Sequence, residues 1–378
     1  MKVAIVAPLV SPIREPQRGG AQAFLAELAR GLVARGHDVH VYAASGSQVP
    51  GVAVIETGVD HRDLEATLYR PTGAAAGSAA AGSAAAGSAA AGSLAAERAF
   101  GRVYARVGEG RYDLVHNHAF DAAAVTLAPT VGAPVLHTVH LPPDREVADA
   151  LRHATHGDRA PMVAAVSRHQ AGAWSAVVPV GAVLPPYIPT RQIPFSPATG
   201  SGAVFAGRLS PEKGAAEAIA IARRADVRIE VFGDPYDPAY ARERIDPLST
   251  ESGVAVHPGV PQRALWEAMG RAAVVLCPAT WEEPFGMVAA EAQACGTPVV
   301  AFRRGALEEV VRDGVTGFLV APDDLPAAAA AVRAAPALSR SACRRHAETR
   351  LDIERTLDAH EQLYDRLARA AVRTPAGD

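Results

Sequence analysis

The chain is expected to fold as two doubly wound α/β domains in succession, and three observations point there. Short apolar runs without polar alternation recur: "KVAIVAP", "DVHVYAA", "DLVHNH", "PVLHTVH" and "MVAAVS" in the first half, then "AVFAG", "VRIEVFG", "AVVLCPA" and "TPVVAF" in the second. Amphipathic stretches of helical period lie between most of them, the arrangement of parallel strands covered by helices on both faces. A length of 378 residues exceeds what one ordinary core accommodates, so the pattern is read as occurring twice.

"MKVAIVAP" enters the first strand directly, without the basic, apolar and small-residue segments of a signal peptide. Phe24, Leu25, Leu28, Leu32 and Val33 share one stripe of the first helix, which Gly36 ends. After the third strand comes the five-residue repeat "GAAAGSAAAGSAAAGSAAAGS", residues 73–93. Ala favours helix, but each unit holds a Gly and a Ser that oppose it, and no large side chain is present to dock the segment. The repeat is therefore expected to be a mobile insertion. The proline-rich run "LPPYIPTRQIPFSP", residues 184–197, separates the halves. The expected division is a first domain over 1–187, a linker over 188–200 and a second domain over 201–355. The closing segment 356–378 is read as a helix packing back on the first domain.

Composition narrows the function. An apolar fraction of 49% excludes general disorder, and a formal charge of -3 gives no electrostatic reason to expect nucleic acid or an anionic membrane as partner. No apolar run reaches the length of a membrane span. Cys277, Cys295 and Cys343 are odd in number and form no CxxC pair, which speaks against a disulfide framework or a zinc ribbon and suits a reducing cytoplasm. A monomer or weak dimer is expected. Lys occurs only at Lys2 and Lys213 against 35 Arg, and Asn117 is the single Asn. Where such a biased chain keeps a rare residue, that residue is informative.

Three stretches carry chemistry. "APLVSPIREPQRGGAQAF" runs from a strand through a loop to Gly19 and Gly20 at a helix start, where free N–H groups and the positive end of the dipole attract an anion. "FAGRLSPEKG" presents Arg208 and Lys213 in one loop, a fork and a point charge able to grip adjacent phosphates. "TWEEPFGMVAAEAQACGTPVVAF" places Glu283 and Glu291 eight residues apart around a helix expected over 284–295, with Pro284 at its first position. A rise of ~1.5 Å per residue separates the two carboxylates by about 12 Å along the axis, roughly the span from a sugar across a diphosphate to a ribose. Glu283 then suits the sugar, Glu291 the vicinal ribose hydroxyls, and the helix-start amides near Phe285, Gly286, Met287 and Val288 the phosphates. Alternatively Glu283 only caps the helix and Glu291 is a solvated helix residue.

These residues, with "ACGTPVVAF", "EVVRDGVTGFLV" and the early "GGAQ", resemble the retaining glycosyltransferases of family 4, whose architecture of two Rossmann-like domains facing across a cleft is called GT-B. "WEEPFGMV" and "FRRGALEEVV" look most like a branch that includes antibiotic sugar transferases. The resemblance implies that Arg208, Lys213, Glu283 and Glu291 form the donor-binding set, with Gly20 and its neighbours approaching the diphosphate. It matches His118 of "DLVHNHAF" to the family histidine near the reacting sugar. Base contacts are expected from the backbone of Gly233 and of Pro258, Gly259 and Val260, which leaves UDP, GDP and ADP open; a UDP-sugar is the expected donor. Asn117, His137 and His140 are candidates for the acceptor side. The implied reaction moves a hexose from a nucleoside-diphosphate sugar to an acceptor hydroxyl, with no cofactor and no metal. The loop "PLVSPIREPQRGGAQ" holds no histidine to serve as the general base of an inverting enzyme, which fits front-face retention. The rival readings are an epimerase of the same fold, a metal-dependent hydrolase using His116, His118, His137 and His140, and a binding module without turnover.

Overall fold

A computed structural model of the chain describes residues 1–60, 64, 82–155 and 160–373. Contacts divide the chain into two units, one of Met1–Arg14, Ala21–Pro185 and Thr356–Asp378, the other of Glu15–Gly20 and Pro186–Arg355. The stretch expected as a linker, 188–200, thus groups with the second unit, and the closing helix with the first.

The first unit holds a seven-stranded parallel sheet of β1 (Lys2–Val6), β2 (Asp38–Ala43), β3 (Ala53–Glu56), β4 (Leu114–Asn117), β5 (Val135–Val139), β6 (Met162–Ala165) and β7 (Ala182–Val183), in the order β3-β2-β1-β4-β5-β6-β7. The second holds a six-stranded parallel sheet of β8 (Ala203–Ala206), β9 (Ile229–Phe232), β10 (Val254–His257), β11 (Val274–Cys277), β12 (Val299–Phe302) and β13 (Gly317–Val320), in the order β10-β9-β8-β11-β12-β13. In each sheet the order reverses beside the first strand, between β1 and β4 and between β8 and β11. Crossovers on either side of that point run to opposite faces, so a crevice opens at the carboxyl ends of those strands, where open α/β sheets bind ligands.

Each sheet is buried on both faces, which is why its central strands lack alternation. Phe205, Ile219, Ile221, Val231, Leu276 and Phe302 pack in the second unit, and Leu9, Phe100, Val103, Tyr104 and Val115 in the first. The closing helix Ile353–Arg373 is tied to the first unit by Arg35, whose guanidinium meets Asp358 at 2.8 Å and Glu361 at 2.6 Å, and by Leu357, which lies over Gly31.

Two expectations are corrected. The repeat is not wholly a mobile insertion: residues 82–93 form the amino-terminal part of one long helix, Gly82–Glu109. The remaining repeat residues, 73–81, lie outside the described residues. The helix is anchored beyond the repeat, where Ala96, Ala99, Phe100, Val103, Tyr104 and Val107 enter the core. Once nucleated there, extension through an Ala-rich tract is inexpensive even with Gly and Ser interspersed. The second correction is that the helix expected to start at Pro284 runs over Met287–Ala294. Gly286 caps it in the left-handed region at φ 99°, and a Cβ there would stand 2.8 Å from Leu307 Cδ2, so Pro284 and Phe285 belong to a turn ahead of the helix.

Candidate functional site

At the carboxyl end of β8 the chain turns through Gly207 into the loop of Arg208 and Lys213, and at that of β11 it enters "PATWEEPFG". Neighbouring strands thus bring together residues far apart in sequence. Lys213 Nζ donates to both oxygens of Glu283, at 2.8 and 3.1 Å, and stands 4.6 Å over the ring of Trp281. Trp281 Nε1 donates to Glu283 Oε2 at 2.8 Å. Arg208 lies 4.1 Å over the ring of Tyr236 and donates to Glu212 Oε1 at 3.1 Å, an oxygen that also accepts from Ser210 Oγ. Lys213 and Glu283 are largely shielded from water, at 22% and 14% exposure.

Met287 and Val288 open the helix Met287–Ala294, whose first-turn N–H groups have no acceptor within the helix. Phe285 is buried, its ring 5.8 Å from that of Tyr187. Glu291 is not a solvated helix residue. It is 5% exposed, accepts from Gln262 Nε2 at 2.9 Å, and burial pushes its pKa up to about 7. Near the end of β9, Gly233 passes so close to β8 that a Cβ would stand 1.9 Å from Gly207 O. Gly259 N donates to Asp234 Oδ1 at 2.9 Å, which fixes the loop of Pro258, Gly259 and Val260 after β10.

Burial of Glu291 has a measurable consequence. Its folded-state pKa exceeds the ordinary 4.5, so between about pH 4.5 and 7 the folded protein holds a proton that the unfolded chain has released. The stability it contributes is full below that window and lost as pH rises through about 7, by about 3 kcal/mol at ~1.4 kcal/mol per pH unit. Glu291→Gln is expected to shrink the difference in urea midpoint between pH 5 and pH 8. An unchanged difference would show that Glu291 is ionised in the folded protein already at pH 5.

In the first unit His118 directly follows β4, and its Nδ1 lies 2.8 Å from His140 Nε2, just beyond β5. His118 Nε2 is buried without a hydrogen-bond partner. His137, a candidate for the acceptor side, lies within β5, opposite Asn117 and Val163, and is 2% exposed. Both ends of the Asn117 amide serve its own loop: Nδ2 donates to Ala124 O and Oδ1 accepts from Ala119 N. Gly19 precedes and Gly20 opens the helix Gly20–Ala34.

His116 joins the cluster with its ring 3.8 Å from that of His118, its nitrogens paired to Tyr364 Oη at 2.6 Å and Thr138 Oγ1 at 2.7 Å. The histidines share an aromatic, apolar setting with Phe24 and His360. Among the described residues no group of three or more His, Cys, Asp or Glu is placed to hold a metal ion, so the cluster does not favour the hydrolase reading. Burial lowers every pKa in it: His137 and His360 to about 4, His140 to about 3, and His116 and His118 well below the ordinary value. The unfolded chain binds these protons first, so stability is present above about pH 6.5 and lost as pH falls below it. Each histidine is expected to cost on the order of 1 kcal/mol at pH 5.5. The melting temperature of the first unit should fall between pH 7.5 and 5.5, and His360→Gln should recover part of the loss.

Two doubly wound parallel sheets, each with its order reversing beside the first strand, are the architecture of the GT-B class. Comparison with known proteins gives the family. A model described as Glycosyltransferase Family 4 matches residues 18–190, and one described as Glycosyl transferases group 1 matches residues 190–349. A D-inositol 3-phosphate glycosyltransferase of Acidothermus cellulolyticus is 30% identical, the alignment covering 84% of this chain and 79% of the relative. Another, from Geodermatophilus obscurus, is 29% identical, with coverage of 100% and 92%. Among solved structures, AviGT4, a glycosyltransferase involved in avilamycin A biosynthesis, aligns at a TM-score of 0.67 and 23% identity over 97% of this chain and 98% of that one. HepE of Anabaena, in complex with UDP and glucose, aligns at 0.71 and 21% over 97% and 100%. The chain belongs to glycosyltransferase family 4, and it is a transferase enzyme.

Trp281, Tyr236 and Gln262 are the side chains at this edge that motif reasoning passed over. A signal existed for the first: it is one of three tryptophans in the chain and stands inside the acidic motif itself.

Proposed function

We propose that the second unit binds a nucleoside-diphosphate sugar, with UDP as the expected nucleotide, and that the enzyme transfers a hexose to an acceptor hydroxyl with retention of anomeric configuration and without a metal. The observation that carries this reading is the Lys213–Glu283 pair at the reversal point of the second sheet. A cation that rests on a carboxylate can exchange it for a diphosphate, which presents more negative charge at the start of the helix Met287–Ala294. That exchange leaves the Glu283 carboxylate beside the sugar. Arg208 adds a guanidinium fork for phosphate, and Glu291 a buried acceptor for ribose hydroxyls. Crystals of HepE with UDP-glucose support the choice of nucleotide.

In the reaction so read, the bond between the anomeric carbon and the diphosphate oxygen breaks while the acceptor oxygen bonds to the same face of that carbon. The acceptor proton passes to the departing diphosphate oxygen. Positive charge grows on the sugar and negative charge on the leaving group, so Glu283 stabilises the one, and Lys213, Arg208 and the helix amides the other. In the first unit, His118, with its unpartnered Nε2, is read as the histidine near the reacting sugar, with His140 beside it as a candidate for the acceptor side. The buried cysteines Cys295 and Cys343 and the half-buried Cys277 are all free, as suits a reducing cytoplasm.

The test is the stereochemistry of slow donor hydrolysis, followed by NMR before the released sugar equilibrates. UDP-α-glucose should give α-glucose first, at a rate indifferent to EDTA. First release of the β anomer, or loss of activity with EDTA, would remove retention or metal independence respectively.

A further inference from the structure

We infer that Trp281 is a positioning residue: it holds the Glu283 carboxylate in place when Lys213 leaves it for the donor's phosphates. The inference rests on the donor reading above and adds to it a residue to which that reading gives no role. The indole touches both members of the ion pair and meets each with the part of the ring that suits it. Its electron-rich face lies under the Lys213 ammonium, 4.6 Å from the centroid, and its N–H donates to Glu283 Oε2 at 2.8 Å. Indole Nε1 is a donor only, so this bond requires an acceptor oxygen at Glu283 and fixes which one is used.

The ring is itself fixed. Trp281 is 9% exposed, and the backbone on either side is clamped from separate loops. Thr280 N donates to Glu212 O and Thr280 Oγ1 to Pro211 O, while Arg304 Nη1 reaches Thr280 O at 3.0 Å. Beyond the ring, Gly305 N donates to Glu282 Oε2 at 2.7 Å and Ala306 N to Glu283 O at 2.8 Å. Gly305 makes the second clamp possible: at φ 60°, any Cβ there would stand 2.3 Å from Glu283 N. The loop is thus rigid on both sides of the indole. When Lys213 turns to phosphate, the carboxylate loses its cation but keeps the indole N–H, and so stays aimed where charge develops on the sugar.

Trp281→Phe keeps an aromatic face near Lys213 and removes the N–H donor together with the five-membered ring that carries it. Turnover of UDP-glucose should fall about tenfold to a hundredfold in kcat, the scale of one hydrogen bond to a charged group, with the Kd for UDP unchanged within about twofold. Unaltered kcat, or equal losses in kcat and UDP affinity, would overturn the inference. If this variant does not fold, wild-type protein with 15N-labelled indoles answers instead. One of the three indole N–H resonances should move upfield in Glu283→Gln and stay downfield, as a hydrogen-bonded N–H, when UDP is added to wild type; an equal upfield move with UDP, or no response of any indole to Glu283→Gln, overturns the inference. Wild-type protein that binds none of UDP, GDP and ADP would sink the donor reading itself. Binding of UDP with an unimpaired Trp281→Phe sinks only the role of Trp281.

Discussion

Glu283→Gln is expected to lower kcat by about 10²- to 10³-fold, the usual cost of deleting one preorganised electrostatic group from a transition state. The carboxylate faces the position read as the sugar, where charge appears only as the glycosidic bond breaks, so its loss should fall on kcat rather than on donor KM. The ion pair adds a second, less obvious expectation. In the free enzyme Lys213 is bound to Glu283 at 2.8 Å, and that contact must be given up before the ammonium can reach phosphate. Neutralising Glu283 removes the competition. UDP, which carries no sugar, should therefore bind Glu283→Gln as tightly as wild type or more tightly. Steady-state kinetics with calorimetry of UDP on the same preparation checks both halves, and a weakened UDP with unchanged kcat contradicts them.

Lys213→Ala should act in the opposite sense. A charged hydrogen bond is worth ~1.5 to 3 kcal/mol, so the Kd for UDP should rise about tenfold to a hundredfold while uridine, which offers no phosphate, is scarcely affected. Arg208→Ala should show the same selectivity to a smaller degree, because Arg208 also serves Glu212 and Tyr236. Equal losses for UDP and uridine would mean that the lysine shapes the loop rather than holding phosphate. Removal of Lys213 also leaves Glu283 with the indole as its remaining strong partner of this group, so the melting temperature should be recorded alongside.

What the sequence disclosed follows from how each feature is encoded. The central strands were legible because burial on both faces leaves unbroken apolar runs, as at Ala203–Ala206 and Val274–Cys277. The edge strands β7, β10 and β13 are shorter or half-exposed and carry a weaker signal. Lys213 stood out through its rarity, and Glu283 and Glu291 through their spacing. The spacing held less geometry than it first suggests, since Gly286 adopts a left-handed conformation that delays the helix to Met287. Backbone conformation at a glycine is not written in the pattern of its neighbours. The helical part of the repeat was missed for a related reason: composition weighs residues 82–93 alone, whereas their helix is anchored by Phe100 and Val103 further along the chain. Trp281, Tyr236 and Gln262 act through Lys213, Arg208 and Glu291, which lie 68, 28 and 29 residues away, and only the fold brings such pairs within reach.

The central claim is that the loops after β8 and β11 hold the diphosphate of a nucleotide sugar. Calorimetric titration of wild type and Lys213→Ala with UDP, GDP, ADP and uridine tests it most directly. The account predicts that at least one diphosphate, UDP foremost, binds wild type far more tightly than uridine does, and that Lys213→Ala removes most of this advantage. A wild-type protein that binds no diphosphate better than the nucleoside, or a Lys213→Ala variant that keeps the full advantage, would contradict it.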